Sequence, residues 1–179
     1  MSRSATAPAV EAFASPEDPQ QLRALDAAVA ASPANVALRR ERAEALASLL
    51  RYADAERELR HAVRLDERDV LTLAALGGLL CRGGRWRDAM EPLRLAVELA
   101  PDHGLAHYYL GDVYSHVELL PAALASYEIA ASLLPDPSRA YKGAGHVLDR
   151  MGRPAEAADA HRRGRDARRA MTAGAARTG

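Results

Sequence analysis

The side chains able to do chemistry in this chain gather between residues 103 and 150. Asp112 and His116 stand four apart. On a helix that spacing puts them on one face, and with His146 from a neighbouring helix they would form a metal-compatible set. His103 and His107 repeat the spacing. Tyr108 and Tyr109 precede Asp112, and the cations Arg139, Lys142 and Arg150 follow it. Nothing extends these residues into a catalytic machine. There is no glycine-rich phosphate loop, no Ser-His-Asp set in a strand-turn context and no pair of zinc-spaced cysteines. Histidines standing singly on a surface are more often polar lining than ligands. The expectation is therefore no catalysis, no metal and no cofactor. The single cysteine, Cys81, excludes an internal disulfide, fits a reducing compartment and on an apolar face is inert.

The elements that must position these groups are helices. Leu110, Val113, Tyr114 and Val117 follow the spacing i, i+3, i+4, i+7, and Ala123, Leu124, Tyr127 and Ala131 repeat that period after Pro121. A proline is tolerated in a first helical turn, whereas Pro135 and Pro137 end the second run. Residues 104–137 are thus expected to form a hairpin of two helices. Shifted by 34 residues, the pattern recurs in registers 36–69, 70–103, 104–137 and 138–171. Place eight is small in each register (Ala43, Gly77, Gly111, Gly145), as are place twenty (Ala55, Ala89, Ala123, Ala157) and place twenty-seven (Ala62, Ala96, Ala130, Gly164). Place eleven is large (Leu46, Leu80, Tyr114, Leu148). Small residues let two helix backbones approach, and large ones at places eleven and twenty-four fill the space beside them. Each hairpin then keeps one apolar face that only a neighbouring hairpin can bury.

This pattern resembles the tetratricopeptide repeat (TPR), over four repeats spanning residues 36–171. The resemblance implies an all-α, right-handed solenoid of helical hairpins. Residues 18–31 match a second helix without its first, with Leu25 and Ala28 in register, and are expected to cap the array; residues 1–17 and 172–179 are expected as a disordered and a frayed tail. In the first tail Val10 and Phe13 are stray apolar residues or a short docking motif. In the first register Arg39 and Arg42 stand where large apolar residues belong, leaving Leu38, Leu46, Leu49 and Leu50 as the apolar face. Gly77 has a packing role; Gly78 has none that the pattern reveals.

The family binds ligands along a concave face made by the first helices of successive repeats. Carried over place by place, the groove would include Leu71, Ala74 and Gly78 of the second repeat, with Ala75 and Cys81 beside them. The third would supply Leu105, Tyr108, Tyr109, Asp112 and His116, and the fourth Arg139, Lys142, His146 and Arg150. The small second row would leave room for an inserted side chain, and tyrosine faces beside cations would suit a peptide or helix with an apolar anchor and an acidic flank. The family's clamp for a C-terminal carboxylate is not expected, because Ala75 and Gly78 sit where it needs amides. The implied function is non-catalytic protein binding. The alternatives are a self-associating scaffold, served by Leu119 and Leu120 at the third turn, and a dedicated chaperone of bacterial secretion, some of which carry such hairpins.

Composition adds bounds. Basic and acidic residues balance at 24 each, so neither nucleic acid nor an acidic membrane is indicated. The distribution is uneven: the third register has no Lys or Arg and four acids, whereas residues 138–179 carry 10 basic and 4 acidic residues. Arg163 and Arg169 on the last helix are expected to face water. No apolar run is long enough to span a membrane and no signal peptide is evident, which gives a cytoplasmic expectation. Near-exclusive use of arginine over lysine fits a GC-rich bacterial genome.

Overall fold

The computed structural model describes residues 19–178. These form nine helices and, among the described residues, no strand. They are α1 (Pro19–Ala31), α2 (Val36–Ser48), α3 (Tyr52–Leu65), α4 (Val70–Arg82), α5 (Trp86–Leu99), α6 (Gly104–His116), α7 (Leu120–Leu133), α8 (Ser138–Arg150) and α9 (Pro154–Thr178). The first helices of the pairs start at Val36, Val70, Gly104 and Ser138, a constant step of 34 residues. The Val10 and Phe13 segment lies outside the described residues. The helix α9 runs through residues 172–178, the segment expected to fray. Residues 170–177 hold four Ala with Met171 and Arg177, good helix formers that outweigh Thr172 and Gly174, and no proline stops them. Among the described residues no helix is long and apolar enough to cross a membrane.

The second, third and fourth hairpins share one close contact. The residue at place twenty-four lies over the small residue at place eight: Leu93 over Gly77, Tyr127 over Gly111 and His161 over Gly145. A Cβ at Gly111 would come within 2.7 Å of the Tyr127 ring, so any larger residue there displaces buried aromatic atoms. Ala55, Ala89 and Ala123 at place twenty, and Ala62, Ala96 and Ala130 at place twenty-seven, are fully buried. Successive hairpins then stack so that α2, α4, α6 and α8 lie side by side along one face.

The ends of the helices follow local chemistry. Asn35, Asp69 and His103 each accept the backbone N–H three residues on, as N-caps do. The hairpin turns share a left-handed residue at place fifteen: Gly84 and Gly152 in two of them, but Leu50 (φ 60°) and Glu118 (φ 64°) in the others. Leu50 therefore does not join the apolar face of its helix; it sits in the turn, 72% exposed.

The front of the array is closed by ions. Arg39 is buried, donates from Nε to the Pro33 carbonyl (2.7 Å) and pairs with Glu58 (2.9 Å). Arg42 bridges the same Glu58 (2.9 Å) and Asp26 of α1 (2.7 Å). The two arginines thus tie α1, α2 and α3 together at places where the second repeat has Leu73 and Leu76. A buried charge of this kind is tolerated only while paired.

Candidate functional site

Between α6 and α8, on the face shared by the first helices, lies an open cavity of about 350 Å³. Tyr108, Asp112 and His116 line it from α6, and Arg139, Lys142 and His146 from α8. Ser115, Gly143, Tyr127 of α7 and Arg168 of α9 complete the wall. Arg139, Lys142 and His146 are exposed, as a solvated groove requires. The Arg139 guanidinium lies 5.3 Å from the centre of the Tyr108 ring, within cation–π range.

The floor of the cavity is Tyr127. Its ring is buried, pressed between Gly111 of its own hairpin and Gly143 of the next, where a Cβ would lie 2.6 Å from it. Its hydroxyl donates to Asp112 Oδ1 at 2.6 Å. Burial, reinforced by the Asp112 charge, pushes the Tyr127 hydroxyl far above its ordinary range, so it remains a donor. Burial also raises the Asp112 carboxyl, opposed by the Tyr127 hydrogen bond and by the charges of His116 and Arg139. Tyr108 stands over this pair, its ring 6.0 Å from Tyr127 and 5.4 Å from Tyr109; burial raises its hydroxyl too.

No family model matches the chain. Over 83 residues, 46% of the chain, it is 34% identical to tetratricopeptide repeat protein 17 of rat and of human. The chain spans only 7% of the length of these curated relatives. Its fold is close to the crystal structure of MamA (24% identity, TM-score 0.73, covering 84% of this chain and 88% of that one). It is also close to YrrB, described as a TPR protein with an unusual peptide-binding site (18% identity, TM-score 0.68, covering 82% and 75%). With the 34-residue step, these likenesses decide the architecture. The chain is a tetratricopeptide-repeat solenoid.

Within the TPR frame, six of the twelve groove residues marked from the sequence meet around the cavity, and six do not. Gly78 and Ala74 are buried, and the space expected above them is filled by this chain's own Tyr109: a Cβ on Gly78 would lie 2.5 Å from that ring. This also explains Gly78, whose role no local pattern reveals. Leu71 and Leu105, 49% and 41% exposed, stand apart from the cavity. Arg150 is turned away to Glu118 (2.6 Å) and to the Ser115 carbonyl (3.0 Å) and hydroxyl (2.8 Å).

Other expectations resolve similarly. His116 donates from Nδ1 to the Asp112 carbonyl (2.9 Å), and its ring stacks on Trp86 at 3.6 Å, linking the third repeat to the second hairpin turn. Trp86 and His116 also border a shallow cavity of about 520 Å³ at the turn edge. His107 is buried with Nε2 donating to Pro101 O, and His103 is a cap. Burial pushes the Cys81 thiol up to about 12, which keeps it unreactive. Leu119 is exposed, but Leu120 packs against the core. Arg163, expected to face water alone, lies 4.3 Å over the Tyr141 ring and donates to its hydroxyl (2.7 Å). Two cavity residues lie off the first helices to which the groove was assigned. Tyr127 belongs to a second helix, and only the coincidence of small residues at Gly111 and Gly143 hints at it. Arg168 lies far along α9, and no periodic signal marks it.

Proposed function

We propose that the chain is a non-catalytic interaction module whose concave groove takes a peptide or helix of a protein partner. The observation that carries this reading is the α6–α8 cavity, where exposed Arg139 and Lys142 stand beside a half-buried tyrosine wall over buried Tyr127 and its partly buried partner Asp112. Aromatic and arginine side chains are the residue types that anchor interfaces. An apolar anchor would lie against Tyr108, and acidic residues of the partner would meet the cations. The peptide-binding site described for YrrB, a chain of the same fold, supports this reading.

The test is a displayed random-peptide selection against the intact chain, followed by calorimetry. Selected peptides should be rich in acidic residues flanking an apolar one. The double substitution Arg139→Glu and Lys142→Glu should weaken them about tenfold or more without unfolding the chain, as should Tyr108→Ala to a lesser extent. Affinity should fall with salt, since exposed charges are screened within about 10 Å at 0.1 M. Equal binding by all three proteins would move the ligand elsewhere. Self-association is the second reading, favoured by exposed Leu119 and by the opposite charges of the third and fourth repeats. A concentration-independent monomer mass in solution would remove it.

A further inference from the structure

The charge balance in the α6–α8 cavity is specific enough to name what enters it. Three cations border it: Arg139 and Lys142 from α8, and Arg168 from α9. Of the other arginines on these two helices and their connection, Arg150 pairs with Glu118, Arg153 with Glu156 and Arg162 with Asp159, whereas Arg163, Arg165 and Arg169, which do not line the cavity, pair with no carboxylate among the described residues. Among the described residues Arg139, Lys142 and Arg168 pair with none. The one acid in the cavity, Asp112, already accepts the Tyr127 hydroxyl and is partly buried. Three cations against one carboxylate leave a formal excess of two positive charges.

A glutamate or aspartate side chain would answer one of these charges with two oxygens. A phosphate monoester carries about −1.5 to −2 at neutral pH and three acceptor oxygens, and arginine forks suit it. We propose that the cavity receives a phosphorylated side chain of the partner segment, held by Arg139, Lys142 and Arg168, with Tyr108 as the apolar wall beside it. This inference rests on the peptide-binding reading and makes it conditional: the partner segment binds weakly until it is phosphorylated. Arg168 is then a specificity residue contributed by the last helix, outside the first helices that form the groove.

The experiment uses the full chain, immobilised, and three peptide libraries with identical random flanks around a central phosphoserine, glutamate or serine. Retained peptides are quantified by mass spectrometry. The phosphoserine set should be retained about tenfold over the glutamate set, the step expected from one further charge-assisted bond. Arg168→Gln and, separately, Lys142→Gln should each bring phosphoserine retention down toward the glutamate level while circular dichroism stays unchanged. Asp112→Asn, which can still accept from Tyr127, should raise it several-fold by removing the opposing charge. Inorganic phosphate should compete only weakly, because it lacks the peptide. If glutamate peptides are retained as well as phosphoserine peptides, or Arg168→Gln changes nothing, the phosphate assignment falls while the groove reading stands. If no library is retained, both fall.

Discussion

The groove between the second and third repeats and the groove between the third and fourth use the same two places with opposite fillings. In the first, Gly78 at place nine lies under Tyr109 at place six of the next repeat, and the groove is shut. In the second, place nine is Asp112 and place six is Gly143, so no side chain comes down from α8. Tyr127 from place twenty-four rises into the gap instead and offers its hydroxyl to Asp112. Its counterpart Leu93 meets Gly77 and has nothing polar to offer. One repeat frame therefore yields an apolar, closed segment and a polar, open one, according to which neighbour is large. A site in a repeat array is set by pairs of places across the stack, not by the groove place alone.

Overfilling the contact beneath both segments should have the largest effect. Gly111→Leu, which drives a side chain into the pinned Tyr127 ring, should destabilise by about 3 kcal/mol, and Ala123→Leu by about 1–3, in urea denaturation. Gly78→Leu should cost less, because Tyr109 is only half-buried at the groove and can swing outward. Equal losses would mean that the closed and open segments are equally rigid.

Next comes the polar floor. Tyr127→Phe leaves the partly buried Asp112 without its donor and should cost about 1–3 kcal/mol, whereas Tyr109→Phe should stay within about 0.5. Wild-type-like melting of Tyr127→Phe would show that the bond contributes nothing to the third repeat.

The same pair gives a pH signature. The folded state holds the Asp112 proton more tightly than the unfolded chain does. Ionising Asp112 therefore lowers stability as pH rises from the ordinary aspartate range near about 3.9 through the raised folded value. Asp112→Asn should remove that fall, gaining on wild type from pH 4 to pH 7 in chemical denaturation. A constant difference across that range would contradict the burial of Asp112.

The smallest effects lie in the turns. Leu50 occupies a left-handed residue where the second turn has Gly84. Leu50→Gly should stabilise by less than about 1 kcal/mol, the relief of backbone strain being offset by the freer unfolded chain, and Gly84→Leu should cost about 1–2. A stabilising Gly84→Leu would place that turn in another conformation.

Much of this architecture was legible in the residues. Gly111, Ala123 and Ala130 mark one helix pair because the residues that touch lie within a single hairpin, at spacings that helical periodicity exposes. The Asn35 cap of α2 is equally local, its side chain accepting from Leu38 N three residues on. Arg39 and Arg42 stood out as misfits, but their resolution could not be seen: the partners Glu58 and Asp26 lie on two other helices. Of the groove, Tyr108, Asp112, Arg139, Lys142 and His146 were marked by place, and so were Ala74 and Gly78, which the structure closes.

The sequence by itself determined the period, the hairpins and the face on which the first helices lie, because volume and helix propensity act over one or two turns. The tertiary structure alone decided where that face is open. Tyr109 covers a glycine of the preceding hairpin, Tyr127 reaches between two hairpins, and Arg168 arrives from the last helix. These are contacts between elements whose relative placement depends on every intervening hairpin stacking at its own spacing. No residue pattern along the chain encodes which of two competing side chains fills a shared gap; the packed volumes on both sides do.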